Sequence, residues 1–142
     1  MKNILFSILL LCVFACSDDD RPQNPFLPNV TVNFQVNLNL PEFDRLEFPG
    51  GSAEIRTDGF GINGVYIRNL NNTTFVAFEL TDPNHALESC SALSVSNEKA
   101  TCDCSDGNVY NLITGQPEDS TLSYFLKAYR VQKQGNVLIV TN

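Results

Sequence analysis

Apolar and polar residues alternate without a break from Val30 to Leu40. Val30, Val32, Phe34, Val36, Leu38 and Leu40 fall on one parity, and Thr31, Asn33, Gln35, Asn37 and Asn39 on the other. Period two predicts a strand with one face in a core and an amide-rich face in water. A helix would scatter the same apolar side chains around its whole surface. Pro41 ends the run, because it has no N–H to give a ladder. Shorter apolar pieces follow at Leu46 to Pro49 and Ala53 to Arg56. Val65 to Leu70 and Thr73 to Leu80 pattern as a hairpin across Asn71-Asn72, since asparagine tolerates positive φ. Tyr110 to Ile113, Phe125 to Lys133 and Asn136 to Val140 supply further strands, the last two joined through Gln134-Gly135-Asn136. The expected architecture is all-β, with small antiparallel sheets over residues 29–142.

Between Arg56 and Val65 the chain reads T-D-G-F-G-I-N-G. A nucleotide-binding glycine loop follows a strand and opens a helix. This one leads into the β-branched Val65-Tyr66-Ile67, so a turn or bulge is expected.

The first residues have a different character. Lys2 precedes an almost unbroken apolar run from Ile4 to Phe14. That is short of the roughly 20 residues needed to span a bilayer and has the proportions of a secretory signal. Val13-Phe14-Ala15-Cys16 resembles a lipobox, which implies cleavage after 1–15 and lipidation of Cys16. Several acyl chains there would give a firm membrane anchor, since one chain binds only marginally. Residues 16–28 carry Asp18, Asp19 and Asp20 and then Pro22, Pro25 and Pro28, and read as an acidic, semi-rigid tether. Such acidic runs resemble the surface-export signal of Bacteroidetes lipoproteins. The outer membrane is the expected location, on the cell surface or on the periplasmic face.

The 142 residues include 16 acidic and 9 basic side chains, a net charge of −7. With no Lys/Arg stripe to neutralise phosphates, nucleic acid is not an expected partner. Of five cysteines, Cys12 leaves with the signal and Cys16 is taken by lipid, leaving Cys90, Cys102 and Cys104. In an oxidising compartment a disulfide is the default. Cys102 and Cys104 are two apart in extended chain, a poor geometry for bonding each other.

Those cysteines and the single histidine lie in Asp82 to Pro117. The stretch reads D-P-N-H-A-L-E-S-C and then, about a strand pair later, C-D-C-S-D-G-N-V-Y-N-L-I-T-G-Q-P. It resembles the Rieske iron–sulfur domain, whose two loops carry C-x-H and C-x-x-H and are often joined by a disulfide between extra cysteines. Pro83-Asn84-His85 with Cys90 is similar to the first loop, and Cys102-Asp103-Cys104-Ser105 to the second. Gly107 to Asn111 and Thr114 to Pro117 resemble the family's G-x-x-(F/Y) and G-x-P stretches. More narrowly, the mature chain resembles Rieske-like lipoproteins of Bacteroidetes. The resemblance implies a Rieske-like domain with two apposed loops at its tip, and a Cys90–Cys104 disulfide, with Cys90–Cys102 as the alternative.

At the four ligand positions this chain has Asp82, His85, Cys102 and Ser105. A Rieske centre needs two thiolates and two imidazoles. One histidine cannot provide the second imidazole, so the site reads as degenerate and no cofactor is expected. Cys102 is then an odd thiol: a ligand, a redox thiol, an intermolecular bridge, or an inert buried sulfur. His85 is a loop histidine hydrogen-bonded to backbone, or a ligand. With Asp82, Cys102 and Ser105 it would form a mixed set unlike the usual zinc sites. Asp103, Ser105, Asp106 and Asn108 are spaced like calcium ligands, but Thr114 stands where the terminal glutamate belongs. No G-x-S-x-G elbow or helix-borne His/Glu pair points to a hydrolase, and no residue is assigned as catalytic. Three functions stand as expectations. The first is a cluster-free, disulfide-stapled, non-catalytic surface lipoprotein with an unknown protein partner. The second is [2Fe–2S] electron transfer, and the third a single-metal or redox-thiol site at His85 and Cys102.

Overall fold

The computed structural model describes residues 23–142. The expected signal peptide, Cys16 and the acidic run after it lie outside the described residues.

Among the described residues, nine strands form two antiparallel sheets. The larger takes β1 (Asn33–Asn37), β2 (Ser52–Ile55), β3 (Val65–Asn69), β4 (Phe75–Glu79), β8 (Ala128–Gln134) and β9 (Val137–Thr141) in the order β1-β9-β8-β4-β3-β2. The smaller is β5 (Leu93–Ser96), β6 (Lys99–Cys102) and β7 (Val109–Asn111) in sequence order. The expectation of an all-β fold of small antiparallel sheets is met. β8 changes partner along its length: Ala128 and Tyr129 pair with β4, while Arg130 to Gln134 pair with β9.

Burial follows the predicted alternation from Val32 to Leu38, every second residue being buried. The ladder itself is shorter than the predicted run. After Asn37 the chain turns, with Leu40 N–H donating to the Asn37 carbonyl at 3.1 Å, and Leu40 is 43% exposed. Pro41–Glu47 then forms a 3-10 helix that the period-two reading missed. Its single buried residue, Leu46, carries too little periodicity to announce a helix.

β3 and β4 are covered on both faces. Val65, Ile67, Phe75 and Ala77 join Phe34, Val36, Leu138 and Val140 in one core. Tyr66, Phe78 and Leu80 face the other way and pack with Leu93, Ala100, Tyr110, Leu112 and Leu126 beneath the small sheet. Each fully buried aliphatic side chain contributes about 1.5–3 kcal/mol, so the second core seats the small sheet firmly. Gly115 makes this docking close: its φ is +75°, and a Cβ there would come within 2.8 Å of the Phe78 ring. The small sheet in turn carries two loops at one end, residues 82–91 between β4 and β5, and 103–108 between β6 and β7.

Part of the segment expected to be tether lies against the domain. The Asn24 side-chain amide donates to the Pro83 carbonyl at 2.8 Å, and Phe26 meets Tyr124 edge-on.

Candidate functional site

The two loops meet at the tip of the small sheet. The base of the first is drawn shut by the Thr81–Ala92 bridge and by Asp82 N–H donating to the Ser91 carbonyl at 2.9 Å. A disulfide joins Cys90 to Cys104, with Cα atoms 4.9 Å apart. The alternative pairing, Cys90–Cys102, is not formed. Cys102 ends β6 with its side chain turned into the second core and remains a buried free thiol.

Asp82 is fully buried. Three donors converge on its carboxylate: the Tyr110 hydroxyl at 2.5 Å, the Asn84 backbone N–H at 2.8 Å and the Asn108 side-chain amide at 2.9 Å. A carboxylate offers about four lone-pair sites. Protein donors from both loops and from β7 take three of them, while the Cys102 thiol donates to the Cys90 carbonyl at 3.8 Å. Asn84 extends the network, donating to the Tyr110 hydroxyl and the Tyr124 carbonyl and accepting from Tyr124 N–H.

These surroundings disfavour negative charge on the neighbours. Burial pushes the Cys102 thiol up to about 12; the Cys104 backbone N–H partly offsets this, and Asp82 reinforces it. Burial, then the hydrogen bond to Asp82, raises the Tyr110 phenol well above its ordinary range. Cys102 is therefore a protonated, poorly nucleophilic thiol at neutral pH.

His85 points elsewhere. Its Nδ1 lies 2.8 Å from the Ala86 carbonyl oxygen and 3.6 Å from Cys104 Sγ, and its Nε2 lies 3.9 Å from Asp106 Oδ2. Ser105 is exposed. The four ligand positions read from the sequence thus divide: Asp82 and Cys102 are buried, His85 sits with Cys90 and Cys104, and Ser105 faces solvent. The mixed four-residue metal set does not assemble. Asp103, weighed as a calcium ligand, instead accepts from the Ser94 hydroxyl at 2.8 Å.

A [2Fe–2S] centre of the Rieske kind requires two thiolates on one iron and two imidazoles on the other. The residues present do not fit it. One seat holds a carboxylate whose oxygens already accept three hydrogen bonds from the protein, another an exposed hydroxyl, and the sole imidazole turns toward the disulfide.

Sequence reasoning missed a second buried acid. Glu79 at the end of β4 is fully buried. It accepts from Ile62 N–H at 2.8 Å, Asn63 N–H at 3.0 Å, the Thr81 hydroxyl at 2.8 Å and the Tyr129 hydroxyl at 2.6 Å. The glycine-studded segment is thereby a loop folded over this carboxylate. Gly61 has φ +82°, and a Cβ there would lie 2.6 Å from Glu79 Oε2. The isolated Gly61 and Gly64 were the available signal for close backbone approach.

A half-open groove of about 500 Å³ is lined by Leu27, Pro28, Tyr124, Phe125 and Lys127 among others. Gln23, Asn24, Asn29 and Asn142 also line it, although most of its exposed surface is apolar.

Among the described residues, no helix is long and apolar enough to cross a membrane. No family model and no curated protein matches the chain. Solved structures of Rieske-type domains do. One is a chain of the complex of reduced oxygenase and oxidized ferredoxin in carbazole 1,9a-dioxygenase, 20% identical, with TM-score 0.48, covering 78% of this chain and 93% of that one. Another is the plasma membrane Rieske protein PetC3 of the cyanobacterium Synechocystis, at 21% identity and TM-score 0.48, covering 80% and 100%. A third is described as a putative NADH-dependent nitrite reductase small subunit from Mycobacterium tuberculosis, at 15% identity and TM-score 0.44, covering 80% and 97%. These are the proteins the chain is similar to, and at such identities the chemistry of the tip rests on this chain's own side chains.

Proposed function

We propose that this chain is a lipid-anchored, non-catalytic domain of Rieske-like form, cluster-free, that presents a disulfide-pinned loop tip at the outer membrane. The observation that carries this reading is the hydrogen-bonded carboxylate of Asp82. Three protein donors hold this carboxylate at a position where the resemblance puts an iron-binding cysteine. In a Rieske domain the cluster ties the two loops together. Here Asp82 bonds to Asn108 across the loops, and the disulfide adds a covalent tie. The anchor rests on the Val13-Phe14-Ala15-Cys16 signal, and the cell surface on the acidic run that follows it. Electron transfer through a [2Fe–2S] centre, the competing function, lacks its second thiolate and second imidazole.

Two measurements test this. Cells fed a labelled fatty acid should incorporate label into the chain, and Cys16→Ala should abolish it and release the protein from membranes. Dithionite reduction of the chain, purified from cells with cluster assembly active, should give no electron paramagnetic signal of a reduced two-iron centre. An unlabelled chain would refute the anchor, and a stoichiometric signal would refute the cluster-free site.

A further inference from the structure

Each sheet has two edge strands, and an open edge presents unpaired N–H and C=O groups that invite another strand. Three of these edges are guarded. β2 carries Glu54, whose carboxylate pairs with Arg56 at 2.9 Å. On β5 the Arg56 guanidinium donates to the Leu93 carbonyl at 2.7 Å. β7 is covered by the chain that follows it, through the Tyr110–Pro117 bridge and Glu118 N–H donating to the Val109 carbonyl at 2.8 Å. The fourth edge, β1, is bare. It ends the large sheet, and no charged residue lies between Pro22 and Pro41.

The register fixes which groups β1 leaves open. Leu38 N–H donates to the Asn136 carbonyl and Asn142 N–H to the Val32 carbonyl, so the even-numbered residues bond to β9. Asn33, Gln35 and Asn37 therefore turn their backbone N–H groups to the open edge, where no strand meets them among the described residues. The same three residues hold their amide side chains on the exposed face.

We propose that β1 is a self-association edge: two copies of the chain join their large sheets by antiparallel pairing of β1 with β1, about a two-fold axis at Gln35. The strand reads N-F-Q-V-N. In that register the two Gln35 residues exchange N–H···O bonds. Asn33 does the same with Asn37 of the other copy, whose carbonyl also accepts from its own Leu40 N–H. Amide then stands opposite amide along the outer face, each able to donate to and accept from its neighbour. Phe34 lies opposite Val36 on the inner face, an aromatic to β-branched pair. The residue on the axis meets its own copy, so a charge there would repel itself, and a neutral amide occupies the place. Copies that each carry a net charge of −7 approach best along an edge that has none. A charged partner strand would find no counter-charge here. The contact is isologous and uses up the one bare edge of each copy, so it closes as a dimer and does not grow into a fibre.

The test is sedimentation of the full chain in density-matched detergent over a range of concentrations, with cross-linking to fix the register. The wild type should show a monomer–dimer equilibrium. Gln35→Lys places like charges opposite each other, and Gln35→Pro removes an outward N–H while sparing the β9 ladder. Each should weaken the dimer by about 10-fold or more, with the β circular dichroism unchanged. Glu54→Gln, on the other edge of the sheet, should leave the equilibrium as it is. Under mild oxidation Gln35→Cys should give a reducible covalent dimer, its Cα atoms being about 5.5 Å apart across the seam. Asn33→Cys should not, since its two copies lie about 14 Å apart in this register. Three results would each overturn the proposal: a wild type that is monomeric at every concentration, a dimer that Gln35→Lys leaves equally tight, or cross-linking of Asn33→Cys as readily as of Gln35→Cys.

Discussion

Two buried acids, three residues apart, divide the molecule. Glu79 belongs to the large sheet and Asp82 to the loop tip, and the first carboxylate receives four donors and the second three, in each case including a tyrosine hydroxyl. Burying such groups is tolerated only when their lone pairs are satisfied. The donors differ in kind. On Glu79, each oxygen meets one backbone N–H, from Ile62 or Asn63, whose direction the loop fixes. On Asp82, only Oδ1 meets a backbone N–H, from Asn84, whereas Oδ2 meets the side-chain amide of Asn108. Glu79 therefore sits in a cradle built around an acid. Asp82 sits in a position adapted to one by side chains that can turn.

Breaking the tie beside Asp82 should have the largest effect. The Cys90→Ser, Cys104→Ser double variant removes a cross-link of sequence separation 14 and should lose about 3 kcal/mol in denaturant melts. No change would mean that the hydrogen bonds alone pin the tip. Glu79→Gln should follow, at about 2–3 kcal/mol. Whichever oxygen becomes NH₂ will confront a fixed backbone donor, leaving buried groups unpaired. Asp82→Asn should be milder, at about 1 kcal/mol, because the NH₂ can take the Oδ2 side while Asn108 flips to accept from it. Equal losses for the two amide variants would erase the distinction between cradle and adapted seat.

The last effect is absent at neutral pH and appears only in alkali. The Cys102 thiol is raised in the fold from 9.0 to about 12. Between those values the unfolded chain loses the proton and the folded chain keeps it. Stability from this group is thus fully present below about pH 9 and lost as pH rises toward 12. The slope is about −1.4 kcal/mol per pH unit in that window. Denaturant melts of the wild type against Cys102→Ala should show the difference in slope, and iodoacetamide should leave the native thiol unmodified at pH 8. Fast alkylation of the folded chain would show that Cys102 is not held as described.

Period two made the strands legible, and the hairpins were readable from Asn71-Asn72 and Gln134-Gly135-Asn136, since Asn72 and Gly135 do take positive φ. The 3-10 helix was not, because one buried leucine in seven residues has no period. At the tip, the resemblance located both loops and the cysteine pair that forms the disulfide. It could not convey that His85 and Asp82 part company, because loop spacing says nothing of side-chain direction. Glu79 was hidden for a plainer reason: an acid after Phe75-Val76-Ala77-Phe78 looks like the end of a strand entering water. Two of its four donors are backbone groups from a loop 16 or 17 residues earlier, and a third is the Tyr129 hydroxyl, 50 residues later.

The central claim is that protein donors have taken the seat of an iron ligand at Asp82. Iron and acid-labile sulfide should be quantified in the wild type and in the Asp82→Cys, Ser105→His variant, both expressed with cluster assembly active and purified anaerobically. The wild type should carry neither, even though the variant brings its tip one thiolate and one imidazole closer to a Rieske donor set. Two irons and two sulfides per wild-type chain would contradict the account.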